Sequence, residues 1–564
     1  MKLTFLGAAH EVTGSRFLLE ACGKYIMVDY GMEQGMDVYQ NAELPIMEAQ
    51  IDYVLLTHAH IDHSGYLPLL YKNGFRGKIF STDTTADLCR IMLLDSAYIQ
   101  ESDAEYKNRK AQRSGRPLVE PLYTQAHALA TCDLFVPCKY EQQVELCDGI
   151  SIRMEDVGHL MGSASIEVRV TEGNETKTIV FSGDIGNLNQ PLLRDPQYMI
   201  KADYVVMEST YGDRTHGPVP DYIGELTKIL QETLDRGGNV VIPSFAVGRT
   251  QEMLYFIRHI KEHGLVKGHD GFPVYVDSPL AIEATKVFNQ NTMECADEDT
   301  VELIKRGINP ISFDDLRLAV SSEESKQINV DPEPKVIISA SGMCDAGRVR
   351  HHLKHNLWRP ESTILFVGYQ SNGTLGRSLI EGVDKVKLFG ETIQVCAHVT
   401  ALAGVSGHAD QNGLLTWIGH FDPKPQHVFV VHGDDDVVGV FEGLLKQEFD
   451  LSASAPYNGE TWDLSTFTKT AEGNHTKLVK ADKAIAASDA VPEKNETAPV
   501  AKQEAKKPAK QEKLSAAYSS LLVAGEKLAD LLVRMKNYTK KEQQKMTNGI
   551  YTLIRKYERR SKRR

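Results

Sequence analysis

The sequence predicts a mixed α/β protein in which one strand–turn–helix block is set inside another, and three observations carry that reading. Between Asn239 and Ile380 an apolar strand, a short polar or Gly-rich turn and an amphipathic helix recur, in NVVIPSFAVGRTQEMLYFIRHI, FPVYVDSPLAIEATKVF, KVIISASGMCDAGRVRHHLKHNL and STILFVGYQSNGTLGRSLI. That alternation builds a doubly wound sheet. On either side lie strands of another kind, YIMVDYG, ISIRMEDVGH, TIVFSGD and YVVMEST before it and HVFVVHG after it, each closing on His, Asp or Glu. Finally, 564 residues with 42% hydrophobic and 25% charged side chains are ordinary globular usage, and at ~150 residues per domain they suffice for more than one core.

The first chemically distinctive element is LLTHAHIDHSGYLPLL, Leu55 to Leu70. The run IDYVLL before it is rich in strand formers, and SGYLPLL after it begins a helix-like apolar stripe, so the polar cluster falls where a strand hands over to a helix. His58 and His60, two apart, project to one side of an extended strand end, and Asp62 and His63 follow at the turn. Imidazole and carboxylate are donors suited to Zn²⁺, and the spacing splits into a pair for one ion and a pair for a second. Packing does not explain such a cluster, because buried unpaired polar groups cost roughly 1 to 3 kcal/mol each. Each ion still lacks ligands, and the strand-end residues His159, Asp184 and His432 are candidates to supply them; a carboxylate such as Asp184 has two oxygens with which to bridge. Taken singly, each of these three is more often a cap or a satisfied surface residue.

Composition limits the alternatives. No run approaches the ~20 apolar residues of a membrane span, and the N-terminal apolar run is too short for a secretory signal. The eight cysteines are scattered without a C-x-x-C pair, as in a reduced, cytoplasmic protein, so any metal is left to His and carboxylate. Charge is uneven: from Arg534 onward the chain carries net +10, which leaves −23 on the rest of a chain of net −13. Residues 466–513 shift towards Ala, Lys, Glu and Pro and read as a disordered linker. In the basic tail, 514–564, Leu514, Tyr518, Leu521, Gly525, Leu528, Leu532 and Met535 step by heptad spacing. A helix so short must dock on a second copy, the body or a partner, and a homodimer through 514–535 is one of these.

These residues resemble the metallo-β-lactamase superfamily, whose hallmark is H-x-H-x-D-H followed by His, Asp and His. Further motifs, MESTYGDRTH (Met207 to His216), PSFAVGRTQE (Pro243 to Glu252), SGHAD (Ser406 to Asp410) and VHGD (Val431 to Asp434), are similar to those of its β-CASP branch, RNA-processing nucleases related to the cleavage-and-polyadenylation endonuclease and ribonuclease J. The resemblance runs from about Lys2 to Glu460. It implies an αβ/βα sandwich at 1–205 and 396–465, interrupted by a doubly wound β-CASP domain at 206–395. It also implies two zinc ions held by His58, His60, Asp62, His63, His159, Asp184 and His432, and hydrolysis of single-stranded RNA to a 5′-phosphate and a 3′-hydroxyl. His408 then matches the proton donor to the leaving oxygen, with Glu208 orienting it and Asp184 at the centre, while Asp29 is the acceptor that orients a metal histidine. RNA contacts are expected at the Gly-rich turns opening helices of the insert, at Arg249, Ser341, Gly342, Gly373, Thr374 and Arg377, where backbone N–H groups and helix dipoles favour phosphate. His398, amid apolar residues, is expected to be packed.

Two further activities stay open at this stage: a 5′-exoribonuclease of the same family, and a hydrolase of small thioesters or lactams, which needs no inserted cap. The N-terminal GAAHEVTGSRFLLE and the HIDHSGYLPLL helix are closer to the endonuclease side. A non-catalytic scaffold is disfavoured by the complete ligand set, and a di-iron redox protein by His60, where such proteins commonly use glutamate.

Overall fold

A computed structural model describes residues 1–34, 39, 42–217, 221–371, 373–402 and 406–478. Two sheets face each other. The first orders eight strands as Thr468–Ala471, Thr461–Asp463, Lys2–Gly7, Arg16–Ala21, Lys24–Val28, Tyr53–Leu55, Lys78–Thr82 and Phe135–Cys138. The second orders seven: Ala453–Ser454, His427–Val431, Tyr204–Glu208, Glu175–Phe181, Ala164–Glu172, Ile150–Asp156 and Val144–Cys147. Alternation along each strand decides what lies between them. Leu3, Phe5, Ile26, Val28 and Leu55 of the first sheet meet Ile152, Ile166, Val168, Phe181, Val206 and Phe429 of the second in one buried cluster. The neighbouring residues of the same strands point outward under helices. Met27 and Val54 lie beneath Leu67, Leu88 and Met92, and Val205, Val428 and Val430 beneath Leu414, Trp417, Phe441 and Leu445. This is the αβ/βα sandwich.

The third sheet has six parallel strands, ordered Leu316–Leu318, Val274–Val276, Val336–Ser339, Val240–Pro243, Thr363–Phe366 and His398–Ala401. Val240 and Ile242 pack on one face with Met253, Leu254 and Ile257, and Val241 on the other with Val349, Leu353 and Leu379. Helices therefore cover both faces, as near-continuous apolar strands require. The central strand Val240–Pro243 is the first of this sheet in sequence, and the chain fills one side of it before crossing to the other.

Three expectations need correction. A boundary at 395 cuts this sheet, because His398–Ala401 pairs with Thr363–Phe366 as its edge strand. That edge position also leaves His398 exposed rather than packed: strand flanks that look apolar in sequence do not bury a residue with a neighbour on one side only. The linker does not begin at 466, since Thr468–Ala471 pairs with Thr461–Asp463; its Thr-rich composition suits an edge strand and hides it among linker residues. The linker beyond Leu478 and the 514–564 tail lie outside the described residues. No described helix is long and apolar enough to cross a membrane, and all eight cysteines are free thiols.

Candidate metal centre

The seven expected ligands come from four separate segments and meet at one end of the sandwich, where strands of both sheets terminate. The first sheet contributes Asp29, just after Lys24–Val28, and the loop after Tyr53–Leu55 with His58 and His60, leading into a short helix, Ile61–Ser64, that carries Asp62 and His63. The second sheet contributes His159 after Ile150–Asp156, Asp184 after Glu175–Phe181, Glu208 at the end of Tyr204–Glu208, and His432 after His427–Val431. Asp29 and His432 turn with φ of 57° and 49°, left-handed conformations that Asp and His tolerate better than most residues. A sharp turn at that point aims each side chain back across the strand ends.

The side chains form two groups with Asp184 between them. His58 Nε2 and His159 Nε2 lie 3.1 and 3.2 Å from His60 Nδ1, and His58 Nε2 and His159 Nε2 lie 3.5 and 3.6 Å from Asp184 Oδ2. On the other side His63 Nε2 is 3.3 Å from His432 Nε2; these two lie 3.2 and 3.6 Å from Asp184 Oδ1, and His432 Nε2 is 3.6 Å from Asp62 Oδ2. Each oxygen of one carboxylate thus faces a different set of imidazoles.

The outer nitrogens are held by fixed partners. His63 Nδ1 is 2.8 Å from Asp29 Oδ2, His159 Nδ1 donates to the Gly407 carbonyl at 3.0 Å, His58 Nδ1 is 3.1 Å from Thr57 Oγ1, and His432 Nδ1 is 3.1 Å from Thr210 Oγ1. Such partners fix the tautomer, so a neutral ring keeps its Nε2 lone pair for the interior. Asp29 also binds Thr57, accepting from its N–H and its hydroxyl at 2.8 Å each, which ties the strand end to the His58 loop.

Electrostatics favours a cation here. Burial, followed by the neighbouring histidines, pushes His58 and His159 well below the usual imidazole range. Burial also opposes a charge on His63, yet Asp184 and Asp29 outweigh it and raise that group well above the usual range. Burial likewise opposes ionised Asp62, but the hydrogen bond from His432 and the charge of His63 bring it down to about 2. Crowded imidazoles resist protons while buried carboxylates demand positive charge. Asp184 Oδ1 is buried with no hydrogen-bond partner, and five imidazoles with two carboxylates are a donor set that zinc prefers. The residues fit a metal centre.

His408 sits beside the first group, its ring 4.5 Å from that of His159 and its Nε2 4.0 Å from Asp184 Oδ2. Its Nδ1 is 3.1 Å from Glu208 Oε1. Burial lowers its affinity for a proton, but Glu208 and then Asp184 raise it to about 9. Glu208 is itself buried and accepts from Ile185 N at 2.6 Å and Thr210 N at 3.1 Å. The His216 ring lies 3.1 Å from the His408 carbonyl.

The six expected RNA-contact residues are more dispersed. Arg249 opens the helix Arg249–Glu262, but its guanidinium pairs with Glu252. Gly342 lies against the Phe245 ring, with space for no Cβ without close contact at 3.3 Å, and its carbonyl accepts from Gln370; Ser341 precedes it in the same loop. Thr374 caps the helix Leu375–Ile380 by accepting from Arg377 N, next to Gly373, which turns at φ 85°. The Arg377 side chain pairs with Glu381 on its own helix. Ser341, Gly342 and Arg249 share the strand-end edge of the third sheet, whereas Thr374 and Arg377 serve their helix. Sequence reading passed over Thr57, Thr210 and Gly407, the partners that orient the histidines. The two threonines adjoin the motifs LLTHAH and MEST, so adjacency was the available signal; a backbone carbonyl such as that of Gly407 carries none.

Comparison with known proteins agrees with this geometry. A metallo-beta-lactamase superfamily domain matches residues 18–195, a Beta-Casp domain residues 250–379, and a Zn-dependent metallo-hydrolase RNA specificity domain residues 392–456. Ribonuclease TTHA0252 of Thermus thermophilus is 36% identical over 456 residues, 80% of this chain and 98% of the relative. Transcription termination factor FttA of Methanosarcina mazei is 30% identical over 475 residues, covering 82% of this chain and 71% of the relative. The same factor of Pyrococcus abyssi is 29% identical over 480 residues, with 82% and 71% covered. The chain belongs to the β-CASP family of the metallo-β-lactamase superfamily and is a metal-dependent hydrolase of RNA.

Proposed function

We propose that this protein is a two-zinc endoribonuclease of the cytoplasm, cutting single-stranded RNA to leave a 5′-phosphate and a 3′-hydroxyl. The observation that carries the reading is the division of the two Asp184 oxygens between two groups of imidazoles. His58, His60, His159 and Asp184 would hold one ion, and Asp62, His63, His432 and Asp184 the other. When bound, a zinc pair supplies the Lewis acidity that makes water a nucleophile at neutral pH and offsets charge gathering on the phosphate. Asp29, Thr57, Thr210 and the Gly407 carbonyl keep the ligand rings oriented. His408, held through Nδ1 by Glu208, presents Nε2 towards the cluster and protonates the departing 3′ oxygen. The β-CASP insert then serves as the cap that grips RNA over the centre, a part that hydrolysis of small thioesters does not need, so thioester hydrolysis is not expected.

Elemental analysis of the purified protein should find two zinc ions per chain. One ion, or stoichiometric iron, would contradict the assignment. Endonuclease action is favoured by the N-terminal segment GAAHEVTGSRFLLE and the HIDHSGYLPLL helix, which are closer to the endonuclease side of the family. Incubation with 5′-end-labelled and internally labelled RNAs bearing different 5′ groups should release internal fragments first. Mononucleotides appearing first from the 5′ end would establish exonuclease action instead.

A further inference from the structure

The helix Asp83–Ser114 has 32 residues, about 48 Å at 1.5 Å per residue, and its two ends differ in chemistry. The N-terminal end is fixed beside the metal centre. Thr82, which caps it, donates through Oγ1 to the Gly162 carbonyl at 2.6 Å, and Thr85 Oγ1 donates to the same carbonyl at 2.8 Å. Gly162 belongs to the turn that begins with His159. The far end carries Lys107, Arg109, Lys110 and Arg113, with Arg116 just past the Gly115 cap, and the stretch 107–116 contains no acid. All five cations are exposed.

Several exposed cations of this acidic chain meet a carboxylate, as Lys139, Lys286, Arg377 and Lys446 do. Among the described residues Lys107, Lys110, Arg113 and Arg116 have no such ion pair, and Arg109 reaches Glu105 only at 4.0 Å. The helix dipole favours cations in a last turn by roughly 0.3 to 1 kcal/mol. That covers Arg113 but not Lys107 or Arg109, or Arg116 beyond the helix. The exposed Tyr106 ring adds a stacking face, with Lys110 Nζ 4.4 Å from its centroid. Unpaired cations with an interleaved aromatic are the surface chemistry that grips a phosphate backbone without reading bases.

We propose that this helix tip is a second RNA-binding site, which holds the phosphates of the same strand well away from the point of cleavage. It rests on RNA being the substrate. A span of about 48 Å corresponds to roughly 14 nucleotides at the stacked spacing of 3.4 Å, so the site serves only RNAs long enough to reach it. The test replaces Lys107, Arg109, Lys110, Arg113 and Arg116 by glutamine in the full chain. Binding and cleavage of an RNA of about 8 nucleotides should be unchanged. Affinity for one of about 40 nucleotides should fall about tenfold at low salt, and its log–log salt slope should flatten by roughly 0.7 per lost phosphate contact. The double variant Arg113→Gln/Arg116→Gln, which removes only cations at and beyond the helix end, should show a smaller loss of the same kind. Unchanged affinity and slope for the long RNA would overturn the proposal and leave the tip, with exposed Leu118 and Val119 beside it, to a protein partner. Equal weakening for both lengths would also overturn it, since the cations would then act through the cleft or through bulk charge. Because unchanged cleavage of the short RNA is the control, failure here is separable from failure of the nuclease assignment.

Discussion

Asp184→Asn should yield a folded protein that holds neither zinc ion firmly and cleaves RNA roughly a thousandfold or more slowly, the loss of several kcal/mol of transition-state stabilisation that a metal centre supplies. Oδ2 of this buried carboxylate faces His58 and His159, Oδ1 faces His63 and His432, and Oδ1 has no hydrogen-bond partner of its own. An amide of the same shape removes the negative charge from both groups at once and places an N–H against nitrogens that need to accept. Asp62→Ala separates the two halves, because Asp62 meets only the His63 and His432 side. It should retain one zinc ion per chain and still lose cleavage. Asp184 follows the end of a strand and Asp62 lies in the short helix Ile61–Ser64, both at the strand-end face rather than in an apolar core, so circular dichroism should report a native fold in each. Two zinc ions retained in Asp184→Asn would show that the carboxylate does not bridge.

Much of this arrangement was legible in the sequence for a physical reason. H-x-H-x-D-H concentrates four donors in six residues, more than packing tolerates, and strand ends that stop on His159, Asp184 and His432 mark one end of a sandwich before its topology is known. The insert was equally plain in outline, since strand–turn–helix units differ in rhythm from the strands around them. Its far border was not. His398–Ala401 is a short edge strand whose partner, Thr363–Phe366, lies 35 residues earlier in the chain, and nothing local distinguishes it from a strand of the sandwich. The strand Thr468–Ala471 was hidden in the same way, being a polar edge with all four residues exposed. Oxygen-by-oxygen division of Asp184 and the anchoring of ligand rings by Thr57, Thr210 and Gly407 depend on contacts between segments far apart in sequence, which spacing alone does not encode. The phosphate contacts were the least legible: a Gly-rich turn opening a helix fits phosphate, but Arg249 and Arg377 are already occupied by Glu252 and Glu381, and a sequence does not show such local pairing.

His408→Ala should slow RNA cleavage by about 10²- to 10⁴-fold, the usual worth of general acid catalysis, while zinc content stays at the wild-type value. His408 lies beside the cluster but its Nδ1 is committed to Glu208 at 3.1 Å, and Nε2, the only nitrogen left, stands 4.0 Å from Asp184 Oδ2. A group so placed adds little to metal affinity and much to the fate of an oxygen leaving the phosphorus. Hydrolysis to a 5′-phosphate breaks the bond to O3′, and a ribose alkoxide is a poor leaving group unless it takes up a proton as it departs. The leaving group therefore provides the discriminating measurement. With bis(p-nitrophenyl) phosphate, whose nitrophenolate departs without protonation, the variant should lose far less activity than it does with RNA. Glu208→Gln should show the same pattern in weaker form, since it keeps the ring in place and withdraws only the charge behind it. An equal loss on both substrates would assign His408 to positioning rather than to proton transfer, and loss of one zinc ion would make it a ligand.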